Sequence, residues 1–310
     1  VSDPATPPDR VVCIGNATVD RTFALDGELH MGTKNPAVAR PIAFGGVARN
    51  VAENLARLGL RVTLIACVGD DDAGRAVLAD ARALGIDVDG CVVTPDYPTP
   101  QYAAVLDPRN DLVFGCSDMR AIEALPFERV RAAAVVPGAA WTFADCNLGA
   151  ATLADVIAAP RTAGHRLAID AVSVAKAQRL PPSLGGIDLF FCNVDEARAY
   201  LGAPADAGPD ALAQALQRRG AHTTVMTRGA LGAIVLTPDR SEHVAAAPAT
   251  IADVTGAGDA LIAGTIYALA GGADAVAAVR TGMVAATFAL EVAVPVNPGL
   301  SSAALAARRA

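Results

Sequence analysis

The chain has 310 residues, of which 53% are hydrophobic, 18% charged and 4% aromatic, so a disordered or collagen-like polymer is excluded and the core must be built from small aliphatic side chains. Its 25 Lys and Arg against 32 Asp and Glu leave a net charge of −7, which opposes non-specific attraction to nucleic acid or anionic lipid. The length suits about two domains, or one large α/β domain with an appendage; without a low-complexity linker, the expectation is a single domain over 1–310.

The start is polar and Pro-rich and reads as a disordered head to about Arg10, without the basic and apolar stretches of a signal peptide. The six cysteines fall mostly inside apolar runs such as VVCIG and LIACVG, the pattern of small buried hydrophobes in a reducing compartment. No uncharged run reaches the ~18 strongly apolar residues of a membrane span. A soluble cytoplasmic protein is expected, with no nucleic acid and no membrane among its partners.

Residues 11–15 form a short continuous apolar run suited to a strand buried on both faces, and such runs recur at 62–68, 141–144, 167–169, 187–192, 223–226 and 233–236. Helical periodicity appears at 47–58, 73–84, 210–219, 255–270 and 273–290. Alternation of the two predicts a largely parallel sheet with helices on both faces. Residues 20–43 and 91–118 break the pattern. The alternation in QYAAVL and DLVFG around a turn at 107–111 predicts antiparallel strands, a small β appendage over one edge of the main domain.

Three stretches can carry chemistry. In DVTGAGDA, residues 253–260, two glycines at a helix start leave the N–H groups of Gly256, Ala257 and Gly258 free to bind an anion. Asp259 falls in the first turn, where the helix dipole favours its ionised form and it can accept a proton from a hydroxyl. An ordinary first turn capped by Thr255 fits the same residues. In FGGVARNVAENLARLG, Gly45 and Gly46 permit a ligand to approach the backbone and Asn50 offers an amide to a polyol, although helix punctuation is an equal reading. Asn16 and Asp20, after the first strand, belong at the carboxyl end of the sheet, where ligands bind, or else in a plain turn.

Other chemistries lack their signatures. There is no GxxxxGK[ST] loop, no GxGxxG after a strand and no GxSxG elbow, and His30, His165, His222 and His243 are scattered. Walker-type NTPases, dinucleotide enzymes, zinc hydrolases and serine hydrolases are therefore disfavoured.

Taken together and in this order, GGVARNVAENLARLG and DVTGAGDALIAG resemble the two motifs of the ribokinase-like (PfkB) carbohydrate kinase family, a resemblance that covers residues 11–300. It implies a three-layer α/β sandwich with a mostly parallel central sheet and a small β lid at about 20–43 and 91–118. It also implies Asp259 as catalytic base, the turn of Gly256, Ala257 and Gly258 as anion hole, Mg2+ with ATP as co-substrate, and Asn16, Asp20, Gly45, Gly46 and Asn50 around the acceptor.

Within the family, Lys34-Asn-Pro36, Cys116-Ser-Asp-Met119, Ala144-Asp-Cys-Asn147 and the DAVSVAK stretch at 170–176 are similar to the pseudouridine kinases, which places Asn35, Asp118 and Met119 against the nucleoside. Lys34 stands where a small polar residue is usual, and Ala171 replaces a proline. By the same resemblance Asn193, Thr227, Gly229 and Thr255 face the nucleotide, Glu196 faces its magnesium, and Asp253 belongs to a loop for a monovalent cation such as K+. The reaction implied is ATP-dependent phosphorylation of the 5′-hydroxyl of pseudouridine. The alternative is another sugar or nucleoside kinase of the family, like ribokinase, fructokinase or adenosine kinase; a homodimer through the lid is plausible for either.

Overall fold

The first strand, β1 (Arg10–Ile14), sends Val11 and Cys13 into one apolar layer and Val12 and Ile14 into the other, all fully buried. A strand apolar on both faces belongs in the middle of a sheet covered on both sides. The computed structural model describes residues 10–133, 138–161 and 164–309, so the head expected to be disordered lies almost wholly outside the described residues.

From β1 the chain runs through β2 (Thr18–Leu25), β3 (Ala37–Ala39) and β4 (Ala43–Gly45) into α1 (Val47–Arg57). Next come β5 (Arg61–Ile65), β6 (Cys67–Gly69), α2 (Asp72–Ala83), β7 (Val92–Thr94), β8 (Gln101–Leu106) and β9 (Leu112–Asp118). Helices α3 (Arg120–Glu123) and α4 (Phe127–Ala133) lead to β10 (Ala139–Asp145), α5 (Ala150–Ala158), β11 (Arg166–Asp170) and α6 (Val174–Ala177). The remainder is β12 (Leu189–Asn193), α7 (Val194–Leu201), α8 (Pro209–Arg218), β13 (Thr223–Thr227), β14 (Ala233–Leu236), β15 (Ser241–Val244), α9 (Ala257–Ala270), α10 (Ala275–Leu290) and α11 (Ser302–Arg309).

The central sheet has the order β15-β14-β13-β12-β11-β10-β1-β5, parallel from β13 to β5. Side chains of α1, α2, α9 and α10 pack into the layer on one face, and those of α5, α7 and α8 into the layer on the other. This is the three-layer sandwich implied by the sequence. The apolar run at 233–236 is a strand but an antiparallel one, paired with β13 and β15. The link from Thr227 to Ala233 is closed by Arg228 N–H on Gly232 O at 2.7 Å, far too short for the crossover that a parallel neighbour needs.

A second sheet, β3-β2-β8-β9 with β4 on the edge of β2, forms the lid. Its strands were expected to be antiparallel, and β8–β9 and β2–β3 are, but β2 and β8 pair in parallel from Val19↔Gln101 to Ala24↔Leu106. Local alternation carries no information about a partner some eighty residues away. The apolar run at 62–68 also divides: β5 joins the central sheet while β6 pairs with β7 in a separate two-stranded sheet. Four cysteines are buried as expected, whereas Cys91 is half-buried and Cys116 lies exposed on β9. Among the described residues no helix is long and apolar enough to cross a membrane.

Candidate active site

The first turn of α9 is built around a left-handed residue. Gly256 caps the helix at φ 79°, and a Cβ there would sit 1.9 Å from the Pro295 carbonyl oxygen, so only glycine fits. Thr255 does not cap the helix; its N–H donates to Asp253 Oδ1 at 2.8 Å instead. The set of free N–H groups differs in one member from the set expected. The Ala257 N–H donates to Val254 O at 3.3 Å, while the N–H groups of Gly256, Gly258 and Asp259 have no acceptor among the described residues. Three donors still converge at the positive end of a fourteen-residue helix.

Asn50 Nδ2 donates to Asp259 Oδ2 at 2.8 Å, bringing the two glycine motifs together across 209 residues. Burial pushes the Asp259 carboxyl up to about 7, with the Asn50 hydrogen bond lowering it and the charge of Asp145 raising it. The helix dipole was expected to favour the ionised form. Loss of hydration outweighs it, leaving a carboxyl balanced between its two states near neutral pH.

Gly45 and Gly46, expected to admit a ligand to the backbone, also make room for the protein's own chain. A Cβ on Gly45 would fall 2.1 Å from Asp20 Oδ2, and one on Gly46 would fall 2.4 Å from the Asn16 carbonyl oxygen. The start of α1 therefore sits directly on the root of β2. Asp20 is fixed by Thr18 Oγ1, which donates to it at 2.8 Å, and burial raises its carboxyl. Asn16 is buried, its Nδ2 on Met119 Sδ at 3.2 Å and its Oδ1 without a partner among the described residues. Below them Asp145, at the end of β10, accepts the N–H groups of Asn16 and Ala48 at 3.0 Å each and that of Asn147 at 2.8 Å.

A cavity of about 190 Å³ opens beside Asp259, lined among others by Gly258, Asp170, Asn193, Glu196 and Thr227. Asn193 and Glu196 form a capping box on α7: Asn193 Oδ1 accepts the Glu196 N–H, while both Glu196 oxygens accept from Asn193. Burial raises Glu196 and, together with the charges of Glu196 and Asp259, raises Asp170 well above the carboxylate range. Among the described residues no three such side chains are grouped to ligate a metal directly, so a divalent cation here would keep much of its water, and Glu196, both of whose oxygens accept from Asn193, would reach it across water. Thr227 Oγ1 donates to Cys192 O at 3.4 Å, and Gly229 opens the short 3-10 turn that follows β13.

On the lid, Asn35 closes its own loop by accepting the His30 N–H and donating to the His30 and Thr33 carbonyls. Lys34 is exposed beside it. Asp118 pairs with Arg120, whose guanidinium holds it down to about 2. Among the described residues no hydrogen bond joins Asn35 or Asp118 to the groups around Asp259; Met119, just after β9, is joined to Asn16.

Sequence reading assigned no role to three residues, each of which stands in a stretch it quotes. Asp145 and Asp170 end the apolar runs of neighbouring parallel strands, and an acidic residue closing such a run at the carboxyl edge of a sheet was the available signal. Arg49, inside the GGVARN helix, is buried though charged, which helical periodicity alone could not show.

The fold is a parallel α/β sandwich with a β lid, and the site sets the Asp259 carboxylate at a helix start rich in free N–H groups. The sequence pattern of the pfkB family carbohydrate kinases matches residues 8–299, and the chain belongs to that family. Its relatives include sugar and nucleoside kinases. Pseudouridine kinase of Escherichia coli K12 is 29% identical over 95% of either chain, and guanosine-inosine kinase of Exiguobacterium acetylicum is 29% identical over 89% of this chain and 92% of its own. Arabidopsis thaliana ribokinase, solved with ribose and ATP, shares the fold at a TM-score of 0.81 and 19% identity, with 98% of this chain and 99% of that one covered. The protein is a kinase of sugars or nucleosides.

Proposed function

We propose that this kinase phosphorylates the 5′-hydroxyl of pseudouridine, with Asp259 as the base. The observation that carries the reading is the junction of Asn50 with Asp259 beside the cavity that Gly258, Asn193 and Glu196 line. The likeness to a pseudouridine kinase over nearly the whole chain supports the choice of acceptor.

Phosphoryl transfer depends mostly on position. Asn16, Asp20, Asn50 and the backbone at Gly45 and Gly46 hold the ribose so that its hydroxyl faces the γ-phosphorus. As the new O–P bond forms and the β–γ bridging bond breaks, Asp259 takes the hydroxyl proton and ADP leaves. The N–H groups of Gly256, Gly258 and Asp259 receive the charge that spreads over the transferred oxygens, with Ala257 joining if its long bond to Val254 yields. Asn193, Thr227, Gly229 and Thr255 line the nucleotide side, and Asp253 serves a loop for K+. Glu196 is the residue that would hold Mg2+, through water, and the ion would supply charge neutralisation for the transferred group.

Met119, Asn35 and Asp118 meet the base on lid closure, which for Asn35 and Asp118 requires exchange of their present partners. The lid also presents Phe23, Val38, Leu112 and Phe114 to solvent, an apolar surface that supports a homodimer through the lid. The cysteine pattern supports a cytoplasmic enzyme.

The test is a kinase assay with Mg-ATP against pseudouridine, uridine, guanosine, adenosine, ribose and fructose, each read by the mass of the phosphorylated product. Strong preference for pseudouridine over uridine bears the proposal out. Preference for another acceptor keeps the mechanism and replaces the substrate.

A further inference from the structure

Arg49 is charged yet only 4% exposed, so it does not meet substrate directly. Its Nη2 pairs with Glu53 at 2.7 Å and Asp80 at 2.5 Å, and the guanidinium lies over the Phe44 ring at 5.9 Å. Its Nη1 donates to the Phe44 carbonyl at 3.0 Å and to Asn50 Oδ1 at 3.3 Å. The two carboxylates already compensate the buried charge. The contact to Asn50 has a different consequence, because the two ends of a carboxamide are alike in shape and opposite in hydrogen bonding. With Oδ1 turned to a guanidinium, Nδ2 is the end that faces Asp259. A turned-over amide would set NH2 against the guanidinium and a carbonyl oxygen against the carboxylate.

We propose that Arg49 is a positioning residue for phosphoryl transfer, fixing the Asn50 amide so that a donor, never an acceptor, faces the Asp259 carboxylate. The inference rests on Asp259 being the base. Around Asp259 stand Asp145 at the end of β10, Asp170 at the end of β11 and Glu196 on α7, all acidic. The Asn50 donor is the contact that favours the ionised form against them. An amide free to rotate would present its oxygen in part, and the base would keep its proton to higher pH.

The experiment measures kcat/KM against pH, and thermal melting, for Arg49→Met and Arg49→Lys in the parent and in an Asn50→Ala background. Arg49→Met should lower kcat/KM at neutral pH by about tenfold or more and move the acid limb to higher pH, while Arg49→Lys recovers part of both. In the Asn50→Ala background the same substitution should change neither, since Arg49 then has no amide to orient. An acid limb that stays in place, or an equal loss in both backgrounds, overturns the proposal and leaves Arg49 as a brace for α1. If Arg49→Met fails to fold, Arg49→Lys carries the comparison: it keeps a charge for Glu53 and Asp80 but lacks the planar fork that reaches Asn50. Asp259→Ala, run alongside, separates the two readings, because full activity in that variant removes the base itself.

Discussion

The carboxylate of Asp145 accepts the backbone N–H of Ala48 at 3.0 Å, although the residues lie 97 positions apart. The same oxygen takes the Asn16 N–H and the other takes that of Asn147, all in the buried interior. One side chain thus fastens the root of the lid, the start of α1 and the end of β10. Asp145→Ala strands three buried donors and should destabilise the protein by about 3–5 kcal/mol, read as the shift of the urea midpoint. Asp145→Asn, which keeps an acceptor, should lose less; equal losses would show that the bonds to Asn16 and Ala48 contribute little.

Asp259→Ala should keep the fold and ATP binding while losing turnover by at least about a hundredfold, the usual scale of a general base. Single-turnover kinetics with ATP saturating make the check, since they isolate chemistry from product release. Near-parent rates would mean that the acceptor hydroxyl loses its proton elsewhere.

Activity and stability should respond to pH in opposite directions. Because burial pushes Asp259 up to about 7, kcat/KM should fall roughly tenfold per unit on the acid side of neutrality as the base is protonated. The folded chain holds this proton where the unfolded chain, with its ordinary value of 3.8, has released it. Stability therefore declines as pH rises from about 4 to about 7 and is level above that. Asp259→Asn should melt higher than the parent at about pH 8, with the gap narrowing towards pH 5. A gap that widens on acidification would contradict the sign.

Two neighbouring glycines should behave differently. A Cβ on Gly256 meets Pro295 and a left-handed backbone, whereas one on Gly258 meets nothing within 4 Å. Gly256→Ala should lower the melting temperature and abolish turnover together. Gly258→Ala should melt within ~0.5 kcal/mol of the parent. Its methyl shields an N–H beside the cavity, so kcat should drop by about one order of magnitude, less than the 10²–10³ of removing a donor outright.

What could be read from the sequence followed from locality. The run containing Val11–Ile14 is apolar at every position because both faces are covered, and continuous burial of that kind is visible in one segment. The helix of Val47, Val51 and Leu55 shows its inner face by period alone. The parallel pairing of β2 with β8 and the antiparallel turn into β14 depend on partners and on connection length, and no window of residues holds them. The site divides the same way. Asn50 and Asp259 stand in motifs, so both were singled out, but their hydrogen bond and the proton affinity it tunes arise from burial. Arg49 lies on the polar face of an amphipathic helix, and only the fold shows that Phe44, Asp80 and Asn50 close over it.

The position of β1 between β5 and β10 governs how this chain must come off the ribosome. Residues 10–14 can pair along one edge as soon as 61–65 emerge, but the other edge waits for 139–145. At ~5–20 residues per second that delay is on the order of ten seconds. Throughout it an apolar strand keeps a row of unpaired backbone groups open to any similar strand nearby. The nascent chain is therefore most exposed to aggregation, and most in need of a chaperone, during synthesis of its first half, before any residue of the GAGD turn has been translated.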